Sequence, residues 1–179
     1  MGGYRFERLK ILIVDDSLHL RKLVRTILHA FGVIQIYEAE NAKAAWPILR
    51  EVNPDVVFLD WMMEGMSGIE FTKLIRTSVA SPNPFAPIIM LTNYTHITRV
   101  NEARDSGISE FLAKPVSVNA ILTRLISVIE YPRPFVRTKV YFGPCRRRRG
   151  GNEYRGPERR NDSLDNAADV ELDAAGAVA

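Results

Sequence analysis

From Leu9 to Glu130 short apolar runs alternate with longer stretches of helical period, the pattern of a parallel sheet covered by helices. The strands are predicted at Lys10 to Val14, Val33 to Tyr37, Val56 to Asp60, Ile88 to Thr92 and Ser109 to Ala113. Helices are predicted between and after them at Leu18 to Ala30, Ala42 to Glu51, Gly68 to Thr77, Thr95 to Asp105 and Val118 to Glu130, which makes five βα units. One-sided burial follows from the stripes Leu20, Leu23, Val24, Ile27, Leu28 and Ile121, Leu122, Leu125, Ile126, Ile129. Asn41 is placed to cap the second helix, Ser67-Gly68 opens the third, and Gly32 and Gly107 end helices. Pro47 is expected to kink or shorten the second helix. Ser81-Pro82-Asn83-Pro84-Phe85-Ala86-Pro87 reads as a stiff loop.

After Tyr131-Pro132-Arg133-Pro134 that rhythm stops, with room only for a short strand or turn at Val136 to Phe142. The organisation expected is a domain over 1–130, an arginine-rich extension over 131–163, and an acidic, alanine-rich tail over 164–179 with too few large apolar groups to order itself.

The net charge of +3 over 179 residues conceals a division. Residues 1–130 are neutral, 131–160 carry +8, and 161–179 carry −5. A footprint this basic calls for an anionic partner, and nine of its ten cations are arginine. The single cysteine, Cys145, excludes an intramolecular disulfide and fits a reducing compartment. No apolar run reaches 18 residues and no signal-peptide core follows the start, so a cytoplasmic location is expected.

In parallel α/β sheets ligands sit at the carboxyl ends of the strands. Here Asp15 and Asp16 end the first strand, Asp60 the third and Thr92 the fourth, and Lys114-Pro115 follows the fifth. Taken singly, Asp16 reads as a helix cap, Thr92 as a β-former and Lys114 as a solvated cation; jointly they fall on one sheet edge. Three converging carboxylates call for a hard divalent cation such as Mg²⁺, and a lysine and a hydroxyl opposite can hold an anionic group. The set suits an aspartate that accepts a phosphoryl group with metal assistance.

These residues, with Met66-Ser67-Gly68 after the aspartate, resemble a response-regulator receiver domain of the CheY type over about residues 8–130. The resemblance implies a five-stranded parallel sheet of order 2-1-3-4-5 with helices on both faces, the flavodoxin-like arrangement. It implies Asp60 as phosphoacceptor, Asp16 as direct and Asp15 as outer Mg²⁺ ligand, and the Met62 carbonyl as a further ligand. It also implies that Lys114 pairs with phosphoryl oxygens, that Thr92 follows them and couples to Phe111, and that a histidine kinase is a candidate donor. Three positions depart from the pattern: Asn93 stands for a small residue, Phe111 for Tyr, and Glu64 for a frequent proline.

The stretch 141–163, which includes Arg146 to Arg149, Tyr154 and Arg155, is no receiver element. The bland reading is a solvated basic tail. Against it, lysine is absent from this stretch, and the planar fork of arginine selects bidentate phosphate, carboxylate and guanine contacts. Guanine offers O6 and N7 to that fork and a face for Tyr154, while Glu153 or Glu158 can accept from its N1 and N2 edge. Cyclic di-GMP carries two guanines and two phosphates. Arg155-Gly-Pro-Glu158-Arg159 with Arg160 and Asn161-Asp-Ser163 resembles the RxxxR and (D/N)xS signature of PilZ-type sites, although Asn166 stands where that signature closes with glycine.

A CheY-like receiver with this extension is similar to the Cle family of cyclic di-GMP effectors. That resemblance implies binding of cyclic di-GMP, commonly as a stacked dimer, then docking on a flagellar motor switch protein (FliM-like) at the flagellar base, which lowers motility and favours attachment. A non-enzymatic adaptor is therefore expected. The competing reading is a phosphorylation-driven receiver whose tail binds nucleic acid or anionic lipid; nucleic acid is the less favoured partner, because arginine-only composition points to geometry rather than bulk charge. His19, His29 and His96 fall in helical segments, the first two as surface or packing residues, Trp46 and Trp61 read as packing or loop cover, and Cys145 as structural.

Overall fold

The computed structural model describes residues 6–93, 105–138 and 141–145, together with the backbone of 170–172. Five strands, β1 (Lys10–Val14), β2 (Gln35–Ala39), β3 (Val56–Asp60), β4 (Ile88–Thr92) and β5 (Glu110–Ala113), form a parallel sheet in the order β2-β1-β3-β4-β5. The helices are α1 (Leu18–Ala30), α2 (Ala42–Val52), α3 (Gly68–Thr77) and α4 (Val118–Glu130). Of the predicted helix at 95–105 only Asp105 is described, and His96 lies outside the described residues.

Strand parity sorts the core into two layers. Leu12, Val14, Val57, Leu59, Ile88 and Met90 pack against α2 and α3 through Ala45, Leu49, Phe71 and Ile75. Ile11, Ile13, Phe58, Ile89, Leu91 and Leu112 pack against α1 and α4 through Val24, Leu28, Ile121 and Leu125. Burial on both faces explains why the strands read as continuous apolar runs.

Most helix punctuation is as the sequence predicts. Asn41 accepts from the Ala44 amide at 2.9 Å, and Ser67 forms a reciprocal capping box with Glu70. Three expectations are corrected. β2 begins at Gln35 rather than Val33, because the Val33 backbone is spent on closing α1: its amide donates to the Leu28 carbonyl and its carbonyl meets His29 Nδ1 at 2.9 Å. α2 runs through Pro47 to Val52; Pro47 and Lys43, whose carbonyl loses its donor, both face solvent. Leu23 is 38% exposed and flanks the buried stripe Val24, Ile27, Leu28. Of residues 164–179 the structure describes only the backbone of β8 (Val170–Leu172), which pairs with an otherwise open strand edge.

That edge belongs to β6 (Phe135–Arg137), which pairs antiparallel with β7 (Phe142–Pro144). These strands lie where the sequence leaves room for a short strand or turn, and they pack on the receiver body. Phe85 from the proline-rich loop, Phe135 and Phe142 form an edge-on cluster with centroids 5.1 to 5.7 Å apart. Arg76 of α3 is buried beneath them, with four hydrogen bonds to the carbonyls of Pro84, Ala86 and Gly107, and its guanidinium lies 5.1 Å from the Phe135 ring centroid. Burial pushes Arg76 down to about 9, which leaves it charged at neutral pH. Gly143 stacks against Gly107 so closely that a Cβ on Gly143 would fall 2.7 Å from the Gly107 Cα. Phe135→Ala should therefore cost about 3 kcal/mol and lower the melting temperature by roughly 6–12 °C in a calorimetric scan; a hairpin that only links two independent parts would leave it unchanged.

Candidate functional site

Parallel strands deliver their last residues to one edge, and there the polar side chains gather. Asp60 is the last residue of β3 and Thr92 the last of β4; both are buried. Asp15 follows β1, fully buried, and Lys114 follows β5. The ladder continues past the strand ends to fix the flanking pair: Asp15 donates its amide to the Ala39 carbonyl at 3.2 Å, and Lys114 to that of Thr92 at 2.8 Å. Lys114 Nζ then bridges Asp15 Oδ2 at 2.9 Å and Asp60 Oδ1 at 2.8 Å. Asp16 is exposed, so the cluster opens to solvent on its side.

One lysine faces three carboxylates in a largely buried setting, and burial, hydrogen bonds and charge act together on the protonation equilibria. Burial raises the pKa of Asp60; the Lys114 hydrogen bond opposes it, and the charge of Asp15 adds to it. For Lys114 burial works downward, but hydrogen bonds and charge from Asp60 and Asp15 prevail, and its pKa is raised. Oxygens of Asp15, Asp16 and Asp60 lie within 4.8 Å of one another, so hard donors, an excess of negative charge and an open side fit a Mg²⁺ ion. A cation there supplies charge neutralisation for an incoming phosphoryl group. Met62, the fourth ligand expected from its carbonyl, has an exposed side chain in the loop after β3.

The second layer contains residues that sequence reasoning missed. Ser17, not Asp16, caps α1, accepting from the Leu20 amide at 3.3 Å, while Asp15 Oδ1 accepts the Ser17 amide at 2.9 Å. Arg21 donates through one Nη to the Asp15 carbonyl at 2.6 Å and the Asp16 carbonyl at 3.3 Å, and its Nε lies 3.5 Å from Glu38 Oε2. An arginine one turn into a helix gives no sequence signal for this. Gly68, predicted as the opening of α3, has a further role: a Cβ there would strike the Asp60 carbonyl oxygen, and its amide donates to the Trp61 carbonyl at 2.9 Å.

Phe111 is partly buried against the α2–α3 layer on the strand beside Thr92. Asn93 and Glu64 are exposed, Trp61 is buried, Trp46 packs edge-on to Phe71 at 6.2 Å, and His19 and His29 lie on the surface of α1. Arg146, Arg147, Arg148, Arg149, Tyr154, Arg155, Glu158, Arg159, Arg160, Asn161 and Ser163 lie outside the described residues.

Because the Asp60 pKa is raised, folding shifts its proton equilibrium toward the carboxyl relative to the unfolded chain. Asp60 therefore costs stability once pH climbs above its range, and the cost disappears as pH falls through the raised value toward the ordinary 3.8. Asp60→Asn, melted without divalent cations, should be more stable than the parent at pH 7 and approach it near pH 4. A gain independent of pH would contradict this electrostatic account.

The response regulator receiver domain family model matches residues 11–126. Chemotaxis protein CheY-3 of Vibrio cholerae is 31% identical over 124 residues, 69% of this chain and 94% of that protein. The phosphate regulon transcriptional regulatory protein PhoB of Pseudomonas aeruginosa is 32% identical over 124 residues, again 69% of this chain but 53% of its own length. Among solved structures, the chemotaxis response regulator CheY4 of Vibrio cholerae aligns with a TM-score of 0.62 at 30% identity, covering 68% of this chain and 98% of its own. The sheet order, the carboxylate cluster at its edge and these matches agree: the chain belongs to the response regulator receiver family.

Proposed function

We propose that this chain is a non-enzymatic signalling adaptor: a CheY-like receiver that binds cyclic di-GMP through its arginine-rich extension and then docks on a flagellar motor switch protein, lowering motility and favouring attachment. The observation that carries the reading is the hairpin β6–β7. Its Phe135 and Tyr141 are buried on the receiver, so Cys145, the residue before Arg146 in sequence, is tied to a folded body. Binding of a dianionic dinucleotide neutralises the arginines and lets them close together around it. The ligand-loaded extension and the adjacent receiver surface then form one face for the motor protein.

A second input is favoured by the geometry at Asp60. An Asp60 carboxylate oxygen attacks phosphorus of a phosphohistidine on a histidine kinase; the P–N bond breaks, and its electron pair leaves with the imidazole. Lys114, already 2.8 Å from Asp60, turns toward the transferred phosphoryl oxygens, and the Thr92 hydroxyl follows them.

Calorimetric titration of the whole chain at physiological salt should give guanine-selective binding: tight for cyclic di-GMP, weak for cyclic di-AMP, and abolished by the double substitution Arg147→Ala, Arg148→Ala. A preference for RNA or DNA with a steep salt dependence overturns the reading in favour of a polyanion-binding tail. For the second input, incubation with acetyl phosphate and Mg²⁺ should leave a hydroxylamine-labile phosphoryl group on the Asp60 peptide. Lys114→Ala should slow that labelling by roughly a hundredfold; an unchanged rate removes Lys114 from the reaction.

A further inference from the structure

Two of the three carboxylates at the sheet edge are held by hydrogen bonds, and the third is not. Lys114 Nζ binds Asp60 Oδ1 at 2.8 Å and Asp15 Oδ2 at 2.9 Å, and the Ser17 amide donates to Asp15 Oδ1 at 2.9 Å. Asp16, the expected direct Mg²⁺ ligand, is exposed, and among the described residues no hydrogen bond or ion pair holds its carboxylate. Its direction therefore depends on its own backbone, that is, on the two peptide units on either side of its Cα.

Arg21 of α1 holds both of those units. One Nη donates to the Asp15 carbonyl, in the peptide before Asp16, at 2.6 Å, and to the Asp16 carbonyl, in the peptide after it, at 3.3 Å. Asp15 is fully buried, so water is a poor substitute for the donor its carbonyl receives. The Arg21 side chain is itself only 12% exposed. Glu38 of β2 supplies its counter-charge: Oε2 lies 3.5 Å from Arg21 Nε, while Oε1 accepts from Arg25 at 3.0 Å. The Nε is buried without a hydrogen bond, so Arg21 gives up good ion-pair geometry to reach the backbone of the acid pair. With its fork on carbonyls and its charge matched by Glu38, it does not compete with a cation for the carboxylates.

Fixing a carboxylate matters more to one cation than to another. Mg²⁺ demands ligands at about 2.0–2.1 Å in a near-regular octahedron, whereas Ca²⁺ accepts about 2.3–2.6 Å and irregular geometry. We infer that Arg21 is a positioning residue for the cation site: it fixes both peptides that flank Asp16 and thereby sets the preference of the cluster for Mg²⁺ over Ca²⁺. The inference rests on the reading of the cluster as a Mg²⁺ site and adds to it the residue that tunes its selectivity.

The full chain, Arg21→Met and Arg21→Lys are melted by calorimetry over a series of MgCl₂ and of CaCl₂ concentrations at constant ionic strength. Each dissociation constant follows from the stabilisation that the cation gives. Arg21→Met should weaken Mg²⁺ by roughly tenfold or more and Ca²⁺ much less, so that the preference narrows. Arg21→Lys keeps the charge but is shorter and has no fork; it should narrow the preference in the same sense, and it carries the test where Arg21→Met does not fold. If charge alone were at work, Arg21→Met would bind both cations more tightly and Arg21→Lys would match the parent, a result that overturns the inference. An unchanged Mg²⁺ to Ca²⁺ ratio, whatever happens to the cation-free melting temperature, makes Arg21 a structural residue and overturns it as well. No stabilisation of the parent by Mg²⁺ removes the cation site itself together with the inference.

Discussion

The central strands β1, β3 and β4 are buried on both faces, and that constraint governs where chemistry can occur in this molecule. Leu12 and Ile13, Val57 and Phe58, Ile88 and Ile89 each supply one residue to each apolar layer, so no polar side chain fits mid-strand without a partner. Polar groups are driven to the strand ends. At the carboxyl ends stand Asp15, Asp60, Thr92 and Lys114; at the amino ends of β4 and β5 stand Arg76, Ser109 and Glu110, all largely buried.

The two ends solve the burial of charge differently. At the carboxyl end the excess is negative, and one lysine shared by two carboxylates leaves a deficit that a divalent cation or a proton relieves; burial first, and the charge of Asp15 after it, raise the pKa of Asp60 against the pull of Lys114. At the amino end the guanidinium of Arg76 is met by neutral carbonyls and an aromatic face, a set that satisfies its donors without a counter-charge. The first arrangement is poised to exchange ligands. The second is saturated and works as an anchor, which is why the hairpin reads as part of the receiver.

How much of this the sequence discloses depends on range. Strand positions, the caps Asn41 and Ser67 and the cluster Asp15, Asp16, Asp60, Thr92, Lys114 follow from local period and from strand ends, and the structure brings the clustered residues together. Where two local roles compete, local reading falters: Val33 has a strand former's side chain, yet its backbone closes α1, and Pro47 reads as a helix breaker, yet it lies within α2 on an exposed face. Arg76 and Glu110 were invisible for a different reason. Each is an ordinary charge in its own segment, and only contacts to Gly107, Phe135, Arg124 and Arg133, distant in sequence, give it a role. The Gly107–Gly143 contact is of the same kind, since nothing local marks either glycine as the face of a tight packing joint.

β5 joins the two ends, with Glu110 at its start and Lys114 just past its finish. Four residues at a rise of about 3.3 Å each separate them by roughly 13 Å. What connects them is packing: Phe111, between Glu110 and Leu112, lies against the α2–α3 layer, and its carbonyl holds Arg124 from α4. Through that packing and the Phe111 carbonyl, β5 ties the cluster at Lys114 to Arg124 and Glu110 at the hairpin end.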